Sequence, residues 1–213
     1  MWVIKIGGSL QHAGDLPGFL AGLVEHAAGS AVIVPGGGDF ADQVRRLQKE
    51  TDLDDVTAHH MALRAMENYG TFLSSYDSNL LPATSPGEAR KLSVDRKIPV
   101  WFPYSMVADN PSIPACWDVT SDSLSLWFAE QLQCRHLFIL KAAYPVPENY
   151  SAHYLSHYGY LDKSYAEMSK STSVLSWWLC YQQAPSFFQM LDMREHPATV
   201  MNEITIGKQQ ERQ

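Results

Sequence analysis

The chain has 213 residues, an apolar fraction of 46% and a formal net charge of −7. That is enough apolar chain for a sizeable core, in one large domain or two lobes sharing a sheet, and the lack of a clustered Lys/Arg face speaks against nucleic acid as a partner. No apolar run approaches the roughly 18 residues of a membrane span. Cys116, Cys134 and Cys180 lie far apart and read as reduced and buried, and Met1 leads straight into a strand pattern without a signal peptide, so a cytoplasmic protein is expected.

Trp2 to Ile6 reads as a strand broken by one cation, Lys5, and Gly7, Gly8 and Ser9 follow at once. A lysine closing a buried strand is costly unless it faces an anion or a carboxylate; an edge lysine reaching out to water is the alternative. Leu16 to Ala28 has Phe19, Leu20, Leu23 and Val24 at helical spacing, with Gly29 at the C′ position. Ala31 to Val34 reads as a buried strand. Gly36, Gly37 and Gly38 come next, then a helix with Phe40, Val44 and Leu47 on one face. Strand, glycine turn and helix present backbone N–H groups to an anion. Taken alone, the glycines are equally a tight turn, and neither the dinucleotide nor the P-loop spacing is present. Val56 to Ser75 is a second long helix, whose stripe of Val56, Met61, Ala65, Met66, Tyr69 and Leu73 suits a core or an interface. Its Gly70 marks a kink or close packing. His59 and His60 point about 100° apart, so one of them faces a substrate anion or the two form a surface pair.

Pro82 to Lys97 reads as a polar loop with room for a short helix, and Ile98 to Tyr104 as a strand. Ala108 to Ala115, with Pro111 and Pro114, is the expected boundary between lobes 1–112 and 113–213. Trp117 to Leu132 is an amphipathic helix capped by Thr120 or Ser121. Asp122 in its first turn is either a favourable dipole partner or the group that orients nearby lysines. His136 to Leu140 is a strand that ends, like the first, in a lysine, Lys141. Two strand-end lysines and two glycine turns suit one polyanion. Ala142 to Gly159 reads as a long loop; His153 and His157 have i,i+4 spacing but no intervening glutamate, and no metal site is expected. Ser173 to Gln183 is expected as a buried helix, Pro185 to Leu191 as a short helix, Ala198 to Ile206 as a final strand, and Gly207 to Gln213 as a disordered polar tail.

Three motifs, in order, resemble the amino acid kinase superfamily: K-I-G-G-S at Lys5 to Ser9, V-P-G-G-G-D-F-A-D at Val34 to Asp42, and T-S-D-S at Thr120 to Ser123. The resemblance covers roughly the first 145 residues. It implies an α/β fold, a three-layer αβα sandwich whose open, mostly parallel sheet carries helices on both faces. It also implies an acceptor lobe, a lobe binding ATP with Mg²⁺, and a homo-oligomer, dimer or larger. Carried over by motif, Lys5 neutralises the transferring phosphoryl group, the N–H groups of Gly7, Gly8, Gly37 and Gly38 hold its oxygens, and Asp122 holds the lysines. Ser9, Gly36, Asp39 and His59 then belong to the acceptor side, and Thr120, Ser121, Lys141 and Tyr144 to the nucleotide side. A-H-H-M-A-L-R-A-M-E-N-Y-G at Ala58 to Gly70, with W-D-V-T-S-D-S at Trp117 to Ser123, is similar to the small kinases that act on (5-(aminomethyl)furan-3-yl)methyl phosphate in methanofuran and methylofuran biosynthesis. Where the family has T-D-V-D-G-[IV]-Y, this sequence has Lys141-Ala142-Ala143-Tyr144-Pro145. The reading is therefore an ATP-dependent kinase with a small phosphate or carboxylate acceptor, and the alternative is a degenerate relative that binds a phosphorylated ligand or a partner subunit. Lys141 is either the second catalytic cation or a nucleotide contact, Lys163 or Lys170 being the cation in the latter case.

Overall fold

A computed structural model describes residues 1–12 and 15–206; the expected tail from Gly207 lies outside the described residues. In chain order the elements are β1 (Trp2–Ile6), α1 (Leu16–Ala27), β2 (Ala31–Pro35), α2 (Gly38–Thr51), α3 (Asp55–Ser74), β3 (Leu80–Ala83), α4 (Pro86–Val94), β4 (Ile98–Trp101), α5 (Tyr104–Val107), α6 (Ser121–Gln131), β5 (His136–Lys141), α7 (Ala152–His157), α8 (Tyr165–Met168), β6 (Leu175–Cys180), α9 (Ala184–Met193) and β7 (Asn202–Glu203). The strands form one seven-stranded sheet in the order β3-β4-β2-β1-β5-β6-β7. Only β7 runs antiparallel, against β6. The central strands are apolar and buried on both faces, as parallel strands under helices must be.

Successive side chains of a strand alternate between faces, and this splits the core in two. Val3, Val32, Ile139 and Trp178 face the layer of α6 and α8. Ile4, Ile33, Phe138, Leu140 and Trp177 face the layer of α1 and α9, joined by Tyr69 and Leu73 of α3. The three-layer α/β sandwich is thus present. At Gly70 a Cβ would come within 3.0 Å of the Phe102 ring and 3.3 Å of Pro35 and Val100, so this glycine lets α3 lie close on the sheet.

Several local expectations are corrected. The Ser173–Gln183 region is not a helix but holds β6, pairing with β5 from His136↔Leu175 to Lys141↔Cys180. A short apolar run buried on both faces has no period to read, and its tryptophan pair separates onto opposite faces of the sheet. The Ala198–Ile206 strand shrinks to Asn202–Glu203 behind a 3₁₀ turn at Pro197–Thr199. The stretch from Pro82 to Lys97, read as a loop with room for a short helix, has that helix as α4, capped by Ser85 on the Glu88 N–H at 3.2 Å, and also holds the end of β3. The loop expected from Ala142 to Gly159 contains α7, capped by Ser151 on the Tyr154 N–H. On α2 the inward residues are Ala41 and Val44, while Phe40 and Leu47 are exposed. The α3 stripe is spent inside the chain at Met66, Tyr69 and Leu73, and Val56 is exposed. Cys134 and Cys180 are buried, Cys116 is half-buried, and all three are free. No helix among the described residues is long and apolar enough to cross a membrane.

Candidate active site

The site is assembled at the carboxyl edge of β1, β2 and β5. Lys5 continues the row that begins at Val3, and Lys141 continues the row of Leu137 and Ile139. Strand alternation therefore sends both ammonium groups toward α6. Lys5 lies beside Val34 and Ile139 in register, so Lys141 stands two residues further along the neighbouring strand. Both reach Asp122, in the first turn of α6: Lys5 Nζ lies 2.8 Å from Oδ1 and Lys141 Nζ 3.1 Å from Oδ2. Lys5 is 4% exposed and Asp122 5%. Burial pushes the Asp122 carboxyl up, but Lys141 and Lys5 outweigh it and hold it down at about 2. The positive end of the helix dipole favours the same ionised state. For Lys141 burial wins over Asp122 and lowers its ammonium to about 8. Lys141 also donates to the Tyr160 carbonyl at 2.7 Å.

The two glycine turns abut. A Cβ on Gly8 would fall 2.3 Å from the Gly38 nitrogen and 2.4 Å from its Cα, so no side chain fits there. Gly38 has φ +55°, the left-handed region that glycine adopts without strain. Gly37 has φ −88° and needs no such freedom. Among the four N–H groups expected to face a phosphate, that of Gly7 is engaged by the Leu140 carbonyl at 3.4 Å, and the neighbouring Gly36 donates to Ile6 at 2.8 Å. Gly8 and Gly38 each open a helical turn, where an N–H has no partner within the helix. Both residues line the cleft together with Lys5.

A cleft of about 340 Å³ opens beside Lys5 and Asp122, with the glycine turns at Gly8, Gly37 and Gly38, the α6 start at Thr120 and Ser121, apolar side chains such as Leu63, Met66 and Leu124, and the charged Asp42, Arg45 and Asp55 in its lining. Arg45 lies over the Trp117 ring at 4.3 Å, and the Trp117 indole N–H donates to Gln48 at 2.5 Å, which ties this wall to α2. Asp39 is paired with His12 at 2.9 Å, bridging the two glycine turns. His60 is taken by the Ala108 carbonyl at 3.0 Å. His59 lines the cleft, is 6% exposed, and has no partner for Nε2. Burial, with His60 nearby, lowers its pKa, so it is neutral at pH 7.

Of the residues expected on the nucleotide side, Thr120 and Ser121 line the cleft and Tyr144 does not. The Thr120 hydroxyl donates to Asp162 at 2.9 Å. Tyr144 packs against the core on the α6 side with Tyr150, Tyr154 and Tyr160, and does not line the cleft. Lys163 and Lys170 are paired at the surface with Asp118 and Glu167, away from Asp122. His153 and His157 stack on α7 with ring centroids 6.3 Å apart, and among the described residues no three His, Cys, Asp or Glu side chains gather to hold a metal. Asp162 and the Tyr160 carbonyl were invisible to sequence reasoning, because nothing in Y-L-D-K-S sets them apart from a polar turn.

No family model matches the chain. Over 148 residues it is 28% identical to the [5-(aminomethyl)furan-3-yl]methyl phosphate kinase of Methanocaldococcus jannaschii, a stretch that is 65% of this chain and 64% of that protein. The match thus spans less than two thirds of the curated relative. Among solved structures, uridylate kinase from Archaeoglobus fulgidus superposes with a TM-score of 0.65 at 12% identity, covering 89% of this chain and 94% of that one. UMP kinase from Ureaplasma parvum gives 0.65 at 14% identity, covering 95% and 94%. UMP kinase from Bacillus anthracis gives 0.65 at 14% identity, covering 92% of each. The fold is that of the UMP kinases, and with it that of the amino acid kinase superfamily, as the glycine and T-S-D-S motifs implied.

Proposed function

We propose that the chain is an ATP-dependent kinase for a small acceptor that carries a phosphate, with [5-(aminomethyl)furan-3-yl]methyl phosphate as the first candidate. The observation that carries this reading is the convergence of two strand-end lysines on one buried carboxylate, beside two glycine turns in van der Waals contact. Phosphoryl transfer asks for positioning and charge neutralisation more than for covalent chemistry, and that is what such a cluster supplies.

The phosphates of ATP suit this site: Lys5, Gly8 and Gly38 line one cleft, and the Gly8 and Gly38 N–H groups open helical turns. A Mg²⁺ would be held by the ATP phosphates and water with one or two carboxylates, which does not call for a protein cage of three side chains, and none is present among the described residues. ATP supplies the phosphoryl group. Lys5 offsets its charge, the glycine N–H groups orient its oxygens, and Asp122 fixes both lysines. The apolar side chains of the cleft take the acceptor's body, with the neutral His59 as its hydrogen-bonding partner.

A binding role without catalysis is favoured by one observation, the loss of both family aspartates at Lys141 to Pro145. The test is ADP release from ATP and Mg²⁺ with the furan phosphate as acceptor. Acceptor-dependent ADP is expected. Binding of the furan phosphate with no ADP formed establishes the non-catalytic reading instead.

A further inference from the structure

Helix α6 lacks a cap of its own. Thr120 is in the N-cap position with extended backbone, yet its side chain makes no capping bond. The open N–H groups are satisfied from a segment some forty residues away. Asp162 Oδ2 accepts the N–H groups of Thr120 and Ser123, each at 2.9 Å, and the Thr120 hydroxyl at 2.9 Å, while Oδ1 accepts the Ser123 hydroxyl. Four donors on one carboxyl group is the pattern of an ionised carboxylate, which only accepts. Its neighbours are tied to the same place. The Tyr160 carbonyl accepts from Lys141 at 2.7 Å, and the Ser164 N–H donates to the Asp118 carbonyl at 2.9 Å.

Lys141 is faced by Asp122 from α6, Lys5 from β1, the Tyr160 carbonyl and Asp162 from the segment after α7, and the Trp178 ring from β6 at 5.9 Å. With Asp122 alone, two buried ammonium groups share one carboxylate. Asp162 brings a second carboxylate to the cluster: burial and the Asp122 charge push its pKa up, and the hydrogen bonds from Ser123 and Thr120 work against that. Buried charges persist when they are paired and hydrogen-bonded.

Building on the kinase reading, we propose that Asp162 is a positioning residue for phosphoryl transfer, capping α6 from outside the helix and supplying the second negative charge that keeps Lys141 cationic beside Asp122.

Asp162→Asn separates the two parts of this role. An asparagine oxygen at the Oδ2 position keeps the three bonds from Thr120 and Ser123, and its NH₂ at the Oδ1 position donates to the Ser123 hydroxyl, which also accepts. The cap survives and the charge is lost. Asp162→Ala loses both. The experiment is a pH titration of [ε-¹³C]lysine-labelled protein, the Lys141 signal being assigned by its loss in Lys141→Met, alongside kcat against pH. The expected wild-type midpoint is about 8. In Asp162→Asn it falls, the basic limb of kcat moves with it, and the melting temperature stays near wild type while that of Asp162→Ala drops. An unchanged Lys141 midpoint in Asp162→Asn overturns the proposal, as does a shifted midpoint with an unmoved kcat limb. The titration needs no turnover, so a protein that shows the shift but transfers no phosphate overturns the kinase reading and not the charge balance.

Discussion

The two lysines at Asp122 are held in opposite ways. Lys5 is fixed by backbone that is contiguous with it: the strand that carries it runs into the Gly8 turn, and that turn rests on Gly38 with no space for a Cβ. Lys141 is fixed by groups distant in the chain: Asp122 nineteen residues before it and the Tyr160 carbonyl nineteen after. The Lys5 end has two abutting glycine turns. The Lys141 end has aromatic rings, Tyr160 and Trp178, and no glycine turn. A shared carboxylate thus joins a cation that lines the cleft to one that does not, and the second has the depressed pKa of about 8.

The sharpest way to break this comparison is to remove each cation in turn. Lys5→Met should cost ~10²–10³ in kcat, the usual loss for a donor that acts on developing charge. Lys141→Met should cost less and leave the KM for ATP little changed, since its ammonium is already spent on Asp122 and Tyr160. With Asp122→Asn the double-mutant cycle should show coupling above ~0.5 kcal/mol for both lysines. Wild-type turnover should fall as pH rises through about 8, where Lys141 loses its proton. Steady-state kinetics read all of these. Equal losses at the two lysines, or a rise in the KM for ATP alone in Lys141→Met, removes the distinction.

The glycine contact is tested next. Gly8→Ala places a Cβ 2.3 Å from the Gly38 nitrogen and forces the turns apart. Affinity for inorganic phosphate, read by calorimetry, should drop ~10-fold, with backbone strain of about 1–3 kcal/mol lowering the melting temperature as well. Gly87→Ala in the first turn of α4 is the control: its Cβ meets nothing closer than Ser85 Oγ at 3.9 Å, and both readings should stay near wild type. Unchanged phosphate affinity in Gly8→Ala leaves the contact purely structural.

The contrast between the ends also sets what was legible in the sequence. The strand-end lysines, the glycine turns and the helix opening at Ser121 are each local, and their residue types state the physics: a cation where burial is costly, backbone without Cβ, a carboxylate in a first helical turn. The central strands followed from runs such as Val32 to Val34 and Leu137 to Leu140, and their mostly parallel sheet from the resemblance. Beyond Lys141 the determinants are not local. Leu175 to Cys180 is apolar on both faces, so helix and strand look alike until β5 is seen beside it. Asp162 acts through bonds that span 39 and 42 positions. Thr120 and Tyr144 were placed at a nucleotide by resemblance: the Thr120 hydroxyl donates to Asp162 at the edge of the cleft, and Tyr144, half-buried, packs against the core and does not line the cleft.

The smallest expected effect lies between the two ends, at His59, and it sharpens what the cleft reads. This imidazole lines the cleft along with the apolar Leu63, Met66 and Leu124, with Nε2 unpartnered and the ring neutral because burial lowers its pKa. A neutral ring here neither adds to the positive charge at Lys5 nor competes for phosphate. It supplies one hydrogen bond to the acceptor's body. A single net hydrogen bond is worth about 1 kcal/mol, so His59→Leu should raise the acceptor KM about fivefold while the KM for ATP stays fixed. His59→Gln, whose amide reaches the Nε2 position, should recover most of the loss. Because an orphaned buried nitrogen is itself costly, His59→Leu should melt no lower than wild type in the absence of acceptor. If the KM for ATP rises along with that for the acceptor, or if His59→Gln is as impaired as His59→Leu, the histidine shapes the wall of the cleft and reads nothing, and recognition of the acceptor falls to Asp42, Arg45 and Trp117.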